Sequence, residues 1–119
     1  MTRRVDKPWG HEEIWAHTDR YVGKVLFILA GHSLSLQYHN EKEETIRMLR
    51  GQMDFEMEEP GQSRRTVSLD EGDVMHIRPK TIHRMTAVTD CEVLEVSTPE
   101  LDDVVRLEDR YGRTGTSEP

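Results

Sequence analysis

The segment LSLQYHNEKEETIRMLRG, residues 34–51, decides our interpretation of the fold. Its first half alternates apolar and polar residues, which predicts a β-strand. Side chains two apart on a strand point the same way, so Gln37 and His39 share a face at a spacing of about 7 Å. The polar residues after His39 turn the chain, and Glu44 opens the next strand with its carboxylate able to face back. The segment therefore predicts one edge of a metal site.

A second histidine opens a later strand, after the proline-containing turn that ends at Thr81. Two imidazoles, one carboxylate and one amide oxygen make a mixed nitrogen and oxygen site. Such a site suits Zn²⁺, Mn²⁺, Fe²⁺, Ni²⁺ or Co²⁺, and disfavours metals that seek thiolates. Positions left open on the metal would accept water or substrate. The predicted ligands of this single divalent ion, for which we favour Zn²⁺, are Gln37, His39, Glu44 and His83.

The rest of the chain also has the pattern of an all-β protein. Short segments rich in β-branched and aromatic residues alternate with turns that contain Gly, Asn, Asp or Pro, which is typical of a sandwich, jelly roll or small barrel. Only residues 102–112 can form a helical turn or two, and they fit an extended arm equally well. The predicted strands are 13–17, 21–30, 33–39, 44–51, 52–58, 65–69, 73–77, 83–88 and 92–98.

Composition narrows the classes of protein. The chain has 119 residues, enough for one domain, and its net charge of −7 argues against nucleic acid as the main partner. Cys91 is the only cysteine, which excludes an internal disulfide and suits a reducing compartment, so we expect a cytoplasmic protein. Neither the first ten residues nor the apolar run at 25–30 has the length and composition of a signal peptide or a membrane span.

Two motifs resemble those of the cupin superfamily. The first is Gly31-x5-Gln37-x-His39-x4-Glu44-x6-Gly51, with glutamine in place of the usual first histidine. The second is Gly72-Asp73-x4-Arg78-Pro79-Lys80-x2-His83, in which Arg78 replaces the usual proline and Lys80 the usual glycine. The resemblance implies a double-stranded β-helix (jelly-roll) barrel. We assign residues 1–113 to one barrel with an N-terminal strand and a C-terminal latch, and 114–119 to a flexible tail.

Three further stretches resemble the cupin domain of the type II mannose-6-phosphate isomerases. They are the KPWG segment at 7–10, LSLQYH at 34–39 and DDVVRLEDRYGR at 102–113, and the glutamine at 37 is typical of this branch. The resemblance implies a stand-alone barrel that interconverts mannose 6-phosphate and fructose 6-phosphate through a metal-stabilised enediolate.

That chemistry needs further residues. A ligating carboxylate is not free to take a proton, so a separate base is required; the candidates are His76, Glu108 and Asp109, with Lys24 ranked after them. The phosphate requires cationic donors near the barrel mouth. The candidates for substrate binding are Arg106, Arg78, Lys80, Arg84 and Lys24.

Two other functions fit the same residues. A histidine and carboxylate set with open positions also suits a non-haem metal dioxygenase. The departures at Arg78 and Lys80 fit a non-catalytic module that binds a sugar or another small molecule. Residues 13–17 form an N-terminal strand with an open edge, which predicts a homodimer.

Overall fold

The computed structural model describes residues 2–113 and 115–116, the last two by their backbone alone. Every regular element in these ranges is a β-strand, and none of the described residues forms a helix that could cross a membrane. The strands are β1 (Arg3–Lys7), β2 (Gly10–His17), β3 (Val22–Ile28), β4 (Leu36–Tyr38), β5 (Glu44–Arg50), β6 (Met53–Glu58), β7 (Arg65–Leu69), β8 (Val74–Ile77), β9 (Ile82–Ala87), β10 (Cys91–Ser97), β11 (Val105–Glu108) and β12 (Gly115–Thr116).

The described strands form two six-stranded antiparallel sheets. Sheet I has the order β1-β2-β3-β10-β5-β8, and sheet II has the order β12-β11-β4-β9-β6-β7. Chain neighbours such as β3 and β4 lie in different sheets, so the chain crosses between the sheets repeatedly and closes them into a barrel. This arrangement confirms the predicted all-β jelly roll.

Each of the nine predicted strands is present, with ends shifted by a few residues. The largest change is at 33–39, where the regular strand covers only β4 and Ser33 makes an isolated bridge to Thr86. Within 102–112 the extended alternative is correct, because β11 pairs with β4. The predicted tail at 114–119 lies outside the described residues except for β12, which pairs with β11.

The sequence interpretation missed β1, and with it the true edge of sheet I. This strand pairs with β2 from Arg3 opposite Ile14 to Lys7 opposite Gly10, so the chain covers the edge that was expected to be open. The turn between the two strands requires glycine, because a Cβ on Gly10 would lie 1.9 Å from the carbonyl oxygen of Phe27. The open-edge argument for a homodimer was therefore wrong.

The two sheets enclose an apolar core in one half of the barrel. Inward positions on β5, β6, β9 and β10 alternate with outward ones, as expected for strands with one buried face. Phe55, Met53 and Val93 are fully buried in this core. The other half of the interior is lined by charged residues, and the candidate site lies there.

Candidate metal centre

Three predicted ligands converge inside the barrel from three strands or strand ends. His39 follows β4, Glu44 opens β5 and His83 lies near the start of β9. One ligand atom from each lies within 4.8 Å of the other two, and all three side chains are buried. The spacing of residues 34–51 predicted the approach of His39 and Glu44, and His83 was predicted separately, from the strand that follows the proline-containing turn.

Backbone carbonyls fix which imidazole nitrogen points inward. The Nδ1 atom of His39 lies 2.6 Å from the carbonyl oxygen of Asp103, and that of His83 lies 2.9 Å from the carbonyl oxygen of Thr81. A carbonyl only accepts, so each Nδ1 carries a proton, and in the neutral imidazole each Nε2 keeps a lone pair. Metal-binding histidines are commonly oriented in this way.

The inward atoms lack hydrogen-bond donors within the described part of the chain. Nε2 of His39, Nε2 of His83 and Oε2 of Glu44 are all buried and complete no hydrogen bond. The Nε2 of His39 lies 3.1 Å from the Oε2 of Glu44, so two lone pairs face each other at close range. Two buried acceptors this close are stabilised by a shared proton or cation, and a divalent ion bound by all three atoms would supply that charge. The residues present therefore fit a divalent metal.

Gln37 lies beside this cluster. It is opposite His83 in the pairing of β4 with β9, and its side chain lines the same cavity as His39 and Glu44. The Ser35 hydroxyl donates to its Oε1 atom at 2.6 Å, which holds the amide while one lone pair of the oxygen stays available.

The turn before β9 keeps its shape despite the lysine at position 80. Lys80 adopts a φ of 69°, in the left-handed region that the glycine usual at this point of the motif takes without strain. Its N–H donates to the carbonyl of His39 at 2.7 Å, which ties this turn to the first motif. The departure from the motif thus leaves the two histidines together.

A buried lysine lies beside the cluster. The Lys42 ammonium is 3.4 Å from Oε2 of Glu44 and 3.2 Å from Oε2 of Glu95. Burial opposes its charge, but the two carboxylates outweigh burial and raise the pKa of Lys42 above its ordinary value. Burial opposes the charge of Glu44 as well, but Lys42, His39 and His83 together outweigh burial and lower the pKa of that carboxyl.

His83 is neutral at physiological pH. Burial lowers its pKa to about 4 and outweighs the opposing effect of Glu44. A neutral imidazole is the form that binds metals.

A cavity of about 60 Å³ opens beside the cluster. On the scale of about 10–15 Å³ per water, it has room for a few water molecules. Five cationic side chains and three carboxylates line it, which leaves an excess of two positive charges. These charged residues are Lys7, Lys24, Lys42, Arg106, Arg113, Glu12, Glu44 and Glu95.

Two of the five predicted substrate-binding residues line the cavity, and the other three do not. Arg106 and Lys24 are buried and line the cavity. Arg78 is exposed and lies 3.7 Å from Glu59, Lys80 donates to the side chain of Asn40, and Arg84 forms a two-bond pair with Glu56. These last three residues do not line the cavity.

The predicted catalytic residues lie outside the cavity lining. The imidazole of His76 is exposed and pairs with Glu43 at 2.5 Å on the outer face of sheet I. Glu108 is exposed and lies 3.4 Å from Arg84. Asp109 is connected to the cavity only through Arg113. Its carboxylate accepts hydrogen bonds from the guanidinium of Arg113, and Arg113 lines the cavity.

Sequence reasoning missed most of the charged lining. Glu12 and Glu95 sit at inward positions of β2 and β10, and Glu12 pairs with Lys24 at 3.3 Å. The alternation of EVLEVST was a usable signal, because it places Glu95 on the same face as Val93. Lys42 lies in a loop and carried no such signal.

Comparisons with known proteins agree with this architecture. Residues 1–109 match the family described as mannose-6-phosphate isomerase C-terminal. The chain is 29% identical over 117 residues to the alginate biosynthesis protein AlgA of Pseudomonas putida, covering 94% of this chain and 23% of AlgA. It therefore spans about a quarter of that relative.

Solved structures resemble the barrel as well. Oxalate decarboxylase from Bacillus subtilis superposes with a TM-score of 0.79 at 16% identity, over 89% of this chain and 30% of that one. KdgF from Halomonas sp. superposes with a TM-score of 0.69 at 20% identity, over 82% of this chain and 88% of that one. At these identities the likeness shows the fold, which is the cupin fold.

Proposed function

The chain belongs to the family of mannose-6-phosphate isomerase C-terminal domains, and from that premise we propose that it is a metal-dependent aldose–ketose isomerase of sugar phosphates. The reaction is of the mannose 6-phosphate to fructose 6-phosphate type. One observation carries the proposal. Three buried ligand atoms that complete no hydrogen bond converge beside a cavity whose lining has an excess of positive charge.

His39, Glu44 and His83 would hold one divalent metal, with Gln37 as the fourth ligand. We favour Zn²⁺, and the donor set also suits Mn²⁺, Fe²⁺, Ni²⁺ and Co²⁺. When bound, the metal would polarise the sugar carbonyl and stabilise the negative charge of the enediolate.

The cations of the cavity would bind the phosphate. Lys7 and Arg113 are half-buried, whereas the metal ligands are buried, so these two residues mark the mouth of the cavity. Burial lowers the pKa of Lys7, and the nearby charges of Lys24, Arg106 and Arg113 lower it further. Burial and the charge of Arg113 likewise lower the pKa of Arg106. A phosphate monoester at the mouth would relieve this repulsion.

Glu95 is our candidate for the base that carries the proton between C2 and C1. It lines the cavity, is buried, and shares Lys42 with the ligand Glu44, so it lies next to the metal cluster without belonging to it. Its Oε2 atom lies 3.2 Å from the Lys42 ammonium. Glu12 is the other lining carboxylate outside the cluster, and its partner Lys24 makes no ion pair or hydrogen bond with a predicted ligand among the described residues.

A coupled assay for conversion of mannose 6-phosphate to fructose 6-phosphate tests the function. Protein loaded in turn with the five metals should turn over in at least one form, and His39→Ala should abolish turnover. Metal at a hundredfold excess over its dissociation constant should raise the stability of wild type by about 2.7 kcal/mol. It should not stabilise His39→Ala.

The outcomes separate the competing functions. Metal-bound, folded protein that is inactive in every form contradicts the isomerase. Sugar-phosphate binding without turnover would then indicate a binding module, and oxygen consumption with Fe²⁺ would indicate a dioxygenase.

Exchange of the substrate proton tests the base. Glu95→Gln should stop both turnover and the exchange of the C2 proton with solvent, while metal-induced stabilisation persists. Glu12→Gln should retain the exchange. If Glu95→Gln exchanges the proton as fast as wild type, Glu95 is not the base.

A further inference from the structure

The cavity beside the metal centre is too small to hold the proposed substrate. Its volume of about 60 Å³ has room for a few water molecules. A hexose phosphate has several times as many non-hydrogen atoms. The predicted ligands His39, Glu44 and His83 are buried. A sugar phosphate can therefore reach them only if part of the cavity wall moves.

The turn between β11 and β12, residues 109–113, forms one side of the cavity mouth, because Arg113 lines the cavity. Among the described residues, the backbone of this turn makes hydrogen bonds only within the turn. The N–H of Gly112 donates to the carbonyl of Asp109, and the N–H of Arg113 donates to the Asp109 carboxylate. Apart from the continuity of the chain, only side chains attach this turn to the barrel.

The other parts of the mouth are fixed more firmly. Lys7 lies on β1, which pairs with β2 over all five of its residues. Leu101 precedes Asp103, whose carboxylate accepts hydrogen bonds from the backbone N–H groups of residues 40–42. Moving that loop would also shift the carbonyl that orients His39. The turn after β11 is therefore the wall that can move without disturbing the metal centre.

Two side chains hold this turn against the segment between β3 and β4. The Tyr111 hydroxyl lies 2.6 Å from Nδ1 of His32, and the two rings stack with their centroids 6.0 Å apart. The Arg110 guanidinium donates to the carbonyl of Gly31 at 2.5 Å and to the hydroxyl of Ser33 at 3.2 Å. The Tyr111 ring also packs against the apolar core. Side-chain hydrogen bonds of this kind add little net stability, so they can open in a minor population of the free protein.

We propose that residues 109–113 form a lid over the metal cavity, which opens to admit the sugar phosphate and closes with Arg113 over the phosphate. The identity of the ligand rests on the proposed function, but the movement of the lid does not. Arg113 moves with the lid, because its guanidinium makes two hydrogen bonds of 3.0 Å to the Asp109 carboxylate and lies 5.9 Å from the centre of the Tyr111 ring. Docking of Tyr111 on His32 therefore brings Arg113 to the mouth.

The charges at the mouth make closure depend on the ligand. Closing the lid brings the Arg113 guanidinium towards Lys7 and Arg106. Burial is the first reason why the pKa values of these two residues are lowered, and the charge of Arg113 is a further one, which Asp109 offsets in part at Arg106. This repulsion opposes closure when no anion is bound. A phosphate monoester between the cations turns repulsion into attraction and favours the closed lid, which keeps water away from the enediolate.

Quenching of tryptophan fluorescence by acrylamide tests whether the lid opens. Trp9 lines the cavity and is 3% exposed, whereas the other tryptophan, Trp15, is 48% exposed. Trp15→Phe is therefore the reference protein, in which Trp9 alone reports. In that background the lid variant, Arg110→Met with Tyr111→Phe, should raise the quenching constant about five- to tenfold, because it removes the hydrogen bonds that hold the lid shut. It keeps the ring that packs on the core.

The chain offers a matched control for the lid variant. Arg20 and Tyr21 are the same two residue types in the same order, and both are exposed in the turn between β2 and β3. Arg20→Met with Tyr21→Phe should leave the quenching constant unchanged. Circular dichroism checks that both double variants fold.

The kinetics of ligand binding distinguish a lid from a contact that only stabilises the fold. Mannose 6-phosphate is mixed with the reference protein and with the lid variant, and Trp9 fluorescence is followed in a stopped-flow instrument. The lid variant should associate about fivefold faster, because opening no longer limits entry, and it should release the ligand faster still. A contact that only stabilises the fold would leave the association rate unchanged.

Three results overturn the proposal. They are a folded lid variant whose Trp9 is quenched no more than in the reference protein, an association rate that the lid variant does not change, and a protein that does not bind mannose 6-phosphate. Failure of the isomerase is a separate outcome. Ligand binding and quenching that respond to the lid variant in a protein without turnover would contradict the isomerase and retain the lid. Turnover with unchanged quenching would do the reverse.

Discussion

The two halves of the barrel interior are built on the same strands but with opposite chemistry. In the apolar half, Leu26 on β3 pairs with Val93 on β10. Two residues further along, which is about 7 Å, Lys24 pairs with Glu95. All four side chains point inward and are buried. The comparison shows that strand alternation decides which residues face inward, but not whether the interior they line is apolar or charged.

The halves also differ in what they contribute to the free energy of folding. Burying apolar area stabilises the barrel by about 25 cal/mol per Å². Burying a charge opposes folding unless a partner compensates, and apolar residues often replace a compensated pair without loss of stability. We infer that the charged half is kept for binding and chemistry, and the apolar half for stability.

Breaking the pair between Lys24 and Glu12 should have the largest effect. Lys24→Met alone should lower the free energy of unfolding by about 3–5 kcal/mol, because it leaves the Glu12 carboxylate buried without its partner. Adding Glu12→Leu should restore the loss and can exceed wild type by about 1 kcal/mol or more. The double variant should nevertheless lose isomerase activity. Urea unfolding and the coupled assay measure the two effects.

Lys80→Met serves as the control for that cycle, because Lys80 is exposed and its change should fall within about 0.5 kcal/mol. A double variant that stays as unstable as Lys24→Met would show that the charged half contributes to stability as the apolar half does.

Creating a cavity in the apolar half by mutation should lower stability and leave the metal site unchanged. Met53 is fully buried, so Met53→Ala should lower the free energy of unfolding by about 2–5 kcal/mol. Metal affinity, measured by calorimetry on folded protein, should stay near wild type because Met53 does not line the cavity. Leu29→Ala is the control, since Leu29 is 53% exposed. A large loss of metal affinity in Met53→Ala would show that the two halves are coupled.

The sequence predicted the elements that depend on local pattern. Alternation and turn residues located nine strands, and the spacing of residues 34–51 brought His39 and Glu44 to one point. The strand β1 was missed because RRVDK contains only one apolar residue. It is a strand because it pairs with β2, which is a tertiary effect.

The cavity was harder to predict, because charged residues are assumed to be exposed. Glu12, Lys42 and Glu95 are each buried against a partner of opposite charge, and the pair of Lys42 with Glu95 joins residues that lie far apart in sequence. Motif comparison also emphasised Arg78 and Lys80, whose positions in the second motif turn outward from the cavity. No local pattern distinguishes a cation at the rim of a motif from one inside a barrel.

The smallest loss of stability should come from a change at Asp103, which holds the loop of residues 40–42 beside the charged half. The Asp103 carboxylate accepts hydrogen bonds from the backbone N–H groups of Asn40, Glu41 and Lys42 at 2.6–2.9 Å, and its carbonyl orients His39. Asp103→Asn should lower the free energy of unfolding by about 1–2 kcal/mol at neutral pH, because a neutral amide accepts these bonds more weakly. Metal affinity should fall about tenfold, because the loosened loop holds the backbone carbonyl of residue 103 less firmly against His39.

The pH dependence of stability tests whether the charge of the Asp103 carboxylate causes this loss. Burial of Asp103 is outweighed by the three N–H donors, and its pKa falls to about 2 from the ordinary 3.8. A carboxyl with a lowered pKa stabilises the fold above its unfolded pKa and loses that contribution as pH falls through the folded value. The stability difference between wild type and Asp103→Asn should therefore be full above about pH 5 and close towards pH 2. Asp102→Asn is the control, since Asp102 is exposed and should show no such difference. A difference that stays constant down to pH 2 would show that the carboxylate charge is not what holds the loop.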